Sequence, residues 1–185
     1  WDKSRVEQWQ TQIGVPVAAL VATDVSEVAS GIEKIGKWLG VSQKSRALAS
    51  QLRAPGAKLS GRRVSAFIEI GRSPLYTAGR KTLVGDVLQQ SGFSNVADVS
   101  GYQPYGLESL LAAQPDVYIA PVKSTRAAVL AQLRENSALS KLNCVREGHV
   151  VVIDPDLVLR PGPRLKLGIA QLREAASRLS SPKGF

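Results

Sequence analysis

A single cysteine (Cys144), a single histidine (His149) and no methionine occur in the 185 residues. One cysteine cannot close an intrachain disulfide, and one Cys with one His cannot build a conventional Cys/His zinc site. Cys144 follows Leu142 and Asn143 and reads as a small buried residue, while His149, between Gly148 and an apolar run, reads as structural. There is no G-x-S-x-G, no H-E-x-x-H and no plausible Cys/His pair. The one pair of close carboxylates, Asp154 and Asp156, flanks Pro155 as in an ordinary turn. The expectation is a protein that is not an enzyme and needs no cofactor or metal of its own. No apolar run approaches the roughly 18 residues needed to cross a bilayer. Trp1 leads straight into charged residues, without a Met or an apolar leader core, which reads as a processed or trimmed start.

What is present is an ordinary globular composition, with 44% hydrophobic and 21% charged residues. The net charge of +9 invites a nucleic-acid reading. However, the basic residues are scattered (Lys34, Lys37, Lys44, Arg46, Arg53, Lys58, Arg62, Arg63, Arg72, Arg80, Lys81), and no nucleic-acid-binding signature accompanies them. They read as a solvated basic surface, or as a positive rim that attracts anionic ligands, and no nucleic acid is expected as a partner.

Hydrophobic spacing places the elements. Val15 to Val21 is a short β-branched run read as a buried strand. Thr23 or Asp24 caps a helix, with Glu27 completing a capping box, and Val25, Val28, Ile32, Ile35 and Leu39 form its apolar stripe. A second helical stretch from Ser42 to about Leu52 follows Gly40, and Pro55-Gly56 interrupts it. From residue 62 strands alternate with helices. Strands are expected at Arg63–Ile70, Asn95–Val99, Asp116–Ala120 and Val150–Asp154. Helices are expected after Thr82, at Leu107–Ala113, after Ser124 and at Pro163–Leu179. That alternation implies right-handed crossovers and an α/β fold with a mainly parallel sheet. Ligands of such sheets lie outside the carboxyl ends of the strands, which nominates the loops Gly71–Lys81, Val99–Tyr105 and Asp154–Pro163.

The first of these loops is neither a Walker A sequence nor G-x-G-x-x-G, but it presents Tyr76, suited to stacking on a flat or apolar ligand. Tyr102 and Tyr105 in the second supply contact area and hydroxyl donors, although either would serve equally to cover the core. Glu108 stands in the first turn of a short helix, where a carboxylate favours the helix dipole.

Read in order, several segments resemble the class III periplasmic binding proteins, receptors for cobalamin, iron–siderophore and haem import. They are Ile13-Gly14-Val15-Pro16-Val17; Ile32 to Gly40; Tyr76-Thr77-Ala78-Gly79; Gly92-Phe93-Ser94-Asn95-Val96-Ala97; Leu107-Glu108-Ser109-Leu110-Leu111; Gln114-Pro115-Asp116-Val117-Tyr118-Ile119; Val145-Arg146-Glu147-Gly148-His149-Val150; and Arg160-Pro161-Gly162-Pro163-Arg164-Leu165. The resemblance implies two α/β lobes joined by a long helix, with the ligand in the cleft between them. On that pattern residues 1–22 are a remnant of the N-terminal lobe, 23–60 the connecting helix, and 61–185 the C-terminal lobe. Most of the first lobe is then absent, and the lone lobe should bind its ligand weakly.

The resemblance further implies a substrate-binding component of an ABC importer, periplasmic or extracytoplasmic and membrane-anchored. Tyr76, Thr77, Tyr102, Tyr105, Leu159 and Arg160 would bind the ligand, and Glu108 would dock on arginines of the membrane permease. Tyr-Thr-Ala-Gly with Arg-Pro-Gly-Pro-Arg is most similar to the cobalamin-type members. An iron–siderophore, whose anionic groups Arg72, Arg80 and Arg160 would suit, comes next, and haem third. The rivals are a cofactor-handling enzyme of similar two-lobed architecture and a basic nucleic-acid-binding domain.

Overall fold

The computed structural model describes residues 3–54 and 63–180, beginning with helix α1 (Lys3–Ile13). The helix stop at Pro55-Gly56, the basic residues Lys58 and Arg62, and the lobe boundary at residues 60–61 fall outside them.

Alternation within the apolar strands builds the centre. Strands β1 (Val64–Ile68), β4 (Phe93–Asn95), β6 (Val117–Pro121) and β7 (Val150–Ile153) form one sheet in the order β4-β1-β6-β7. Every pairing in it is parallel. Because side chains alternate across a strand, Ala66, Ile68, Val117 and Ile119 fall on one face and Phe67, Tyr118 and Ala120 on the other. The first face packs against α4 (Leu83–Gln90) and α8 (Leu165–Ser180) through Val84, Leu88, Leu165 and Leu172, with Val25 and Ala29 of α2 (Val25–Trp38) joining them. The second packs against α5 (Leu107–Ala113), α6 (Arg126–Glu135) and α7 (Asn143–Arg146) through Leu110, Val129, Leu133 and Val145. A buried side chain such as Phe67 contributes on the order of 2–3 kcal/mol.

Helix starts follow the local chemistry. Asp24 caps α2, its Oδ1 accepting from Glu27 N at 2.7 Å, while Glu27 Oε2 accepts from Thr23 N at 2.6 Å. The reciprocal bond thus lands one residue before the cap. Thr82 caps α4 by accepting from Gly85 N at 3.0 Å. The cap expected at Ser124 falls one residue later, on Thr125, whose hydroxyl accepts from Ala128 N at 3.2 Å.

Four expectations are revised. The strand expected at Asn95–Val99 lies instead at Phe93–Asn95, paired with Val64–Ala66 of β1. The connecting helix implied for residues 23–60 does not run on as one rod over the described residues: the two stretches read there are α2 and α3 (Ser42–Arg53), folded back on each other. Gly40 takes a positive φ of 69°, and Arg53 reaches Glu33 and Ser30 across the pair. A Cβ on Gly36 would stand 2.0 Å from Ser45 Oγ, so close approach sets the antiparallel packing. Residues 15–21 form no strand. Val15 and Val21 are more than half exposed, because no described strand lies beside this run to complete a ladder. Finally, two stretches read as loops contain strands: β2 (Gly71–Arg72), β3 (Leu75–Ala78) and β5 (Tyr102–Pro104) make a small antiparallel sheet in the order β2-β3-β5. Its hairpin turns on Ser73-Pro74 and lacks the Asn-Gly or Asp-Gly signature that marks most two-residue hairpins.

Candidate ligand-binding face

The chain leaves the carboxyl end of β1 through Glu69 and Ile70 and enters the small sheet directly. This sheet therefore stands at the sheet end where parallel α/β folds bind ligands. It is fastened at three points. Ile70 N donates to Tyr76 O at 2.8 Å, Thr77 Oγ1 donates to Ile68 O at 2.7 Å, and Asn95 Nδ2, at the end of β4, donates to Ala78 O at 2.7 Å. Gly79 N donates to Gly101 O at 2.8 Å, which ties the end of β3 to the turn before β5.

Register decides which predicted residues can meet a ligand. Tyr76 pairs with Pro104 and Ala78 with Tyr102, so Tyr76 and Tyr102 share one face of the small sheet. Tyr102 is 51% exposed and Tyr76 half-buried. Thr77 lies on the opposite face, fully buried with its hydroxyl committed to Ile68, so it is an anchor for the sheet. Tyr105 also turns inward. Its ring packs on Phe67 with centroids 5.4 Å apart, and burial raises its hydroxyl pKa. Of the two readings left open for the paired tyrosines, Tyr102 takes the exposed one and Tyr105 the core one.

The ends of β6 and β7 contribute an ionic cluster. Asp156, in the short 3-10 turn Pro155–Leu157, receives Lys123 Nζ at 3.0 Å and Arg160 Nε. These hydrogen bonds hold its carboxyl below the usual carboxylate range. Arg160 thus reaches the site already paired, and Leu159 is half-buried against the core. Arg72 and Arg80 are paired as well, with Glu69 at 2.8 Å and Asp98 at 3.7 Å. The rim is basic, but each of these three arginines carries its own carboxylate.

Glu108 is exposed in the first turn of α5, a helix that begins two residues beyond Tyr105. His149 and Cys144 sit at the amino ends of the strands, away from this face. His149 Nδ1 lies 3.4 Å from Glu147 Oε2, and burial pushes the Cys144 thiol up to about 12. Among the described residues no three His, Cys, Asp or Glu side chains gather as a metal-holding group, and no helix is long and apolar enough to cross a membrane.

Sequence reasoning missed one polar cluster. Glu69, only 7% exposed, accepts from Tyr118 OH at 2.6 Å and from Nε and Nη2 of the Arg72 guanidinium at 2.9 and 2.8 Å. Arg72 Nη1 continues to Gln132 Oε1 of α6 at 3.0 Å. The signal was available: Glu69 stands two residues after Phe67, on a strand face that is otherwise buried, and a carboxylate there requires partners.

Comparison with known proteins agrees with this geometry. Residues 12–157 match the family model described as "Periplasmic binding protein". An uncharacterized ABC transporter substrate-binding lipoprotein of Bacillus subtilis (strain 168) is 28% identical over 164 residues, covering 83% of this chain and 51% of the relative. The vitamin B12-binding protein of Salmonella choleraesuis (strain SC-B67) is 26% identical, covering 92% and 64%. The chain therefore spans between half and two thirds of the length of these relatives. Among solved structures, a periplasmic haem-binding protein from Pseudomonas aeruginosa superposes with a TM-score of 0.80 at 31% identity, over 99% of this chain and 71% of that one. The haem-binding protein of Roseiflexus sp. RS-1 gives 0.82 at 22% identity over 98% and 73%, a likeness of fold. With a parallel sheet, an aromatic strand at its carboxyl end and a family match over most of its length, this chain belongs to the periplasmic binding protein family.

Proposed function

We propose that the chain supplies the C-terminal lobe, with its connecting segment, of an extracytoplasmic receptor that hands a metal chelate to an ABC importer. On this reading residues 61–185 are the lobe, 23–60 the connection and 1–22 the remainder of the partner lobe. The receptor is periplasmic or membrane-anchored outside the cytoplasm. The observation that carries the proposal is the shared face of Tyr76 and Tyr102, held on a short antiparallel sheet outside the carboxyl ends of the parallel strands. Two rigid aromatic groups offer a flat, largely apolar surface, while the Lys123–Asp156–Arg160 cluster offers charge at the same end of the parallel sheet. Such a surface binds and does not transform, since His149 and Cys144 lie at the other end of the strands. Cobalamin is favoured, as relatives that cover most of this chain bind vitamin B12, with a ferric siderophore and haem next.

Titration of the chain with cyanocobalamin, ferrioxamine B and haemin tests the reading. Saturable quenching of tyrosine emission by one of them is expected, and Tyr76→Ala or Tyr102→Ala should weaken that chelate about fivefold each, the scale of one aromatic stacking contact. A wild-type chain indifferent to all three would overturn the proposal.

Delivery is assigned to Glu108. Its carboxylate is exposed at the start of α5, which supports a contact with permease arginines, and steering of that kind acts on docking more than on ligand affinity. Glu108→Arg should leave chelate binding unchanged and weaken association with the permease by roughly tenfold or more. Equal permease affinity in a pull-down or surface-binding assay would remove Glu108 from the mechanism.

A further inference from the structure

We propose that Glu69, Arg72 and Tyr118 form a positioning network that fixes the hairpin carrying Tyr76 and thereby sets the affinity for the chelate. The inference rests on the reading of Tyr76 and Tyr102 as the ligand face.

The hairpin is short. β2 has two residues and β3 four, and a two-stranded ribbon of that size is marginal by itself. β3 is secured on one side by β5 and beneath by the Thr77 hydroxyl. Among the described residues β2 is the edge strand, with no strand paired on its outer side. Side chains take over that task. The Arg72 guanidinium folds back as a two-point fork on Glu69, and its remaining nitrogen reaches Gln132 on α6. Glu69 is in turn fixed by the Tyr118 hydroxyl, from the neighbouring strand β6. Tyr118 is fully buried and its pKa is raised, first by burial and then by Glu69, so it stays a protonated donor. β6 and the hairpin edge therefore meet at one carboxylate beyond the end of β1, and Arg72 carries the link on to α6.

Two features argue for orientation over bulk stability. An apolar residue at 69 would simply extend the Phe67 face, and a buried ion pair is seldom more stabilising than such a replacement. A planar fork does fix direction, which is what a stacking side chain four residues further along requires. Glu69 and Tyr118 are themselves closed off from any ligand by burial, and only Arg72, one third exposed, stands at the surface.

A double-mutant cycle on the full chain tests this, using cyanocobalamin, haemin and ferrioxamine B as probes. Arg72→Met should weaken the chelate that binds about threefold, within the loss caused by removing the Tyr76 ring and on the scale of one coupled interaction. It should also alter the induced circular dichroism of the bound chromophore, a signal that a merely structural role would not move. In a Tyr76→Ala background the same change should have no further effect. Tyr118→Phe, which removes one hydroxyl from the core, should act in the same direction and more weakly, and serves if Arg72→Met fails to fold. Arg72→Lys keeps the charge without the fork and should recover only part of the loss. Unchanged affinity in both Arg72→Met and Tyr118→Phe would overturn the network. An undiminished loss in the Tyr76→Ala background would make Arg72 a direct ligand contact instead, and full recovery by lysine would leave only its charge. If Tyr76→Ala alone binds as well as wild type, the ligand face is misassigned and the network falls with it.

Discussion

Alanine at position 79 is expected to destabilise the fold by about 3 kcal/mol, the upper range for a forced overpacking, and to weaken chelate binding as well. A Cβ on Gly79 would lie 1.8 Å from Val99 O and 2.8 Å from Val99 C, both backbone atoms that cannot rotate away. The strand end and the 99–101 turn would have to separate, breaking the Gly79 N to Gly101 O bond of 2.8 Å. That bond holds β3 beside β5, so the separation would also pull Tyr76 away from Tyr102. Gly162→Ala is the control: no atom lies within 4 Å of its Cβ position, and a change within about 0.5 kcal/mol is expected. Urea unfolding of the two variants checks the difference, and equal midpoints would show that the turn yields freely.

Glu69→Ala should cost on the order of 3 kcal/mol, for a different reason. The substitution leaves the Tyr118 hydroxyl, in a fully buried residue, without its acceptor, and an orphaned buried donor costs about 1–3 kcal/mol. It also releases the Arg72 fork, which at one third exposure recovers part of its loss in water. Tyr118→Phe should cost only about 1 kcal/mol, because Glu69 keeps both Arg72 bonds. The pair should be strongly non-additive. With Glu69 gone, the Tyr118 hydroxyl is a liability, and its removal should restore stability relative to Glu69→Ala. A double variant less stable than Glu69→Ala would mean that the hydroxyl finds another partner.

These predictions concern residues of unequal legibility. Gly79 lies in a segment whose family resemblance and strand-to-helix position were both readable, yet what makes glycine necessary is a carbonyl twenty residues away. Tyr76 and Tyr102 were nominated from the loops that carry them, and their pairing through Ala78 arises only when β3 meets β5. Thr77 was nominated beside Tyr76, but strand alternation turns neighbours to opposite faces, and no loop reading foresees that. Arg72, Arg80 and Arg160 were readable as basic, and their carboxylate partners became visible only with coordinates.

The sequence by itself determined the parallel sheet, the alternation that divides its two cores, the Thr82 cap and the limits of the Leu107–Ala113 helix. Each depends on spacing or on a bond spanning at most a few residues. Only the tertiary structure decided that residues 15–21 stay unpaired, that α2 and α3 fold back on each other, that a hairpin rises from β1, and that Glu69 joins Tyr118 across 49 positions. A strand exists only where another strand completes its hydrogen bonds, and a buried charge is tolerated only where distant groups converge on it. Neither condition is carried by the residues on either side.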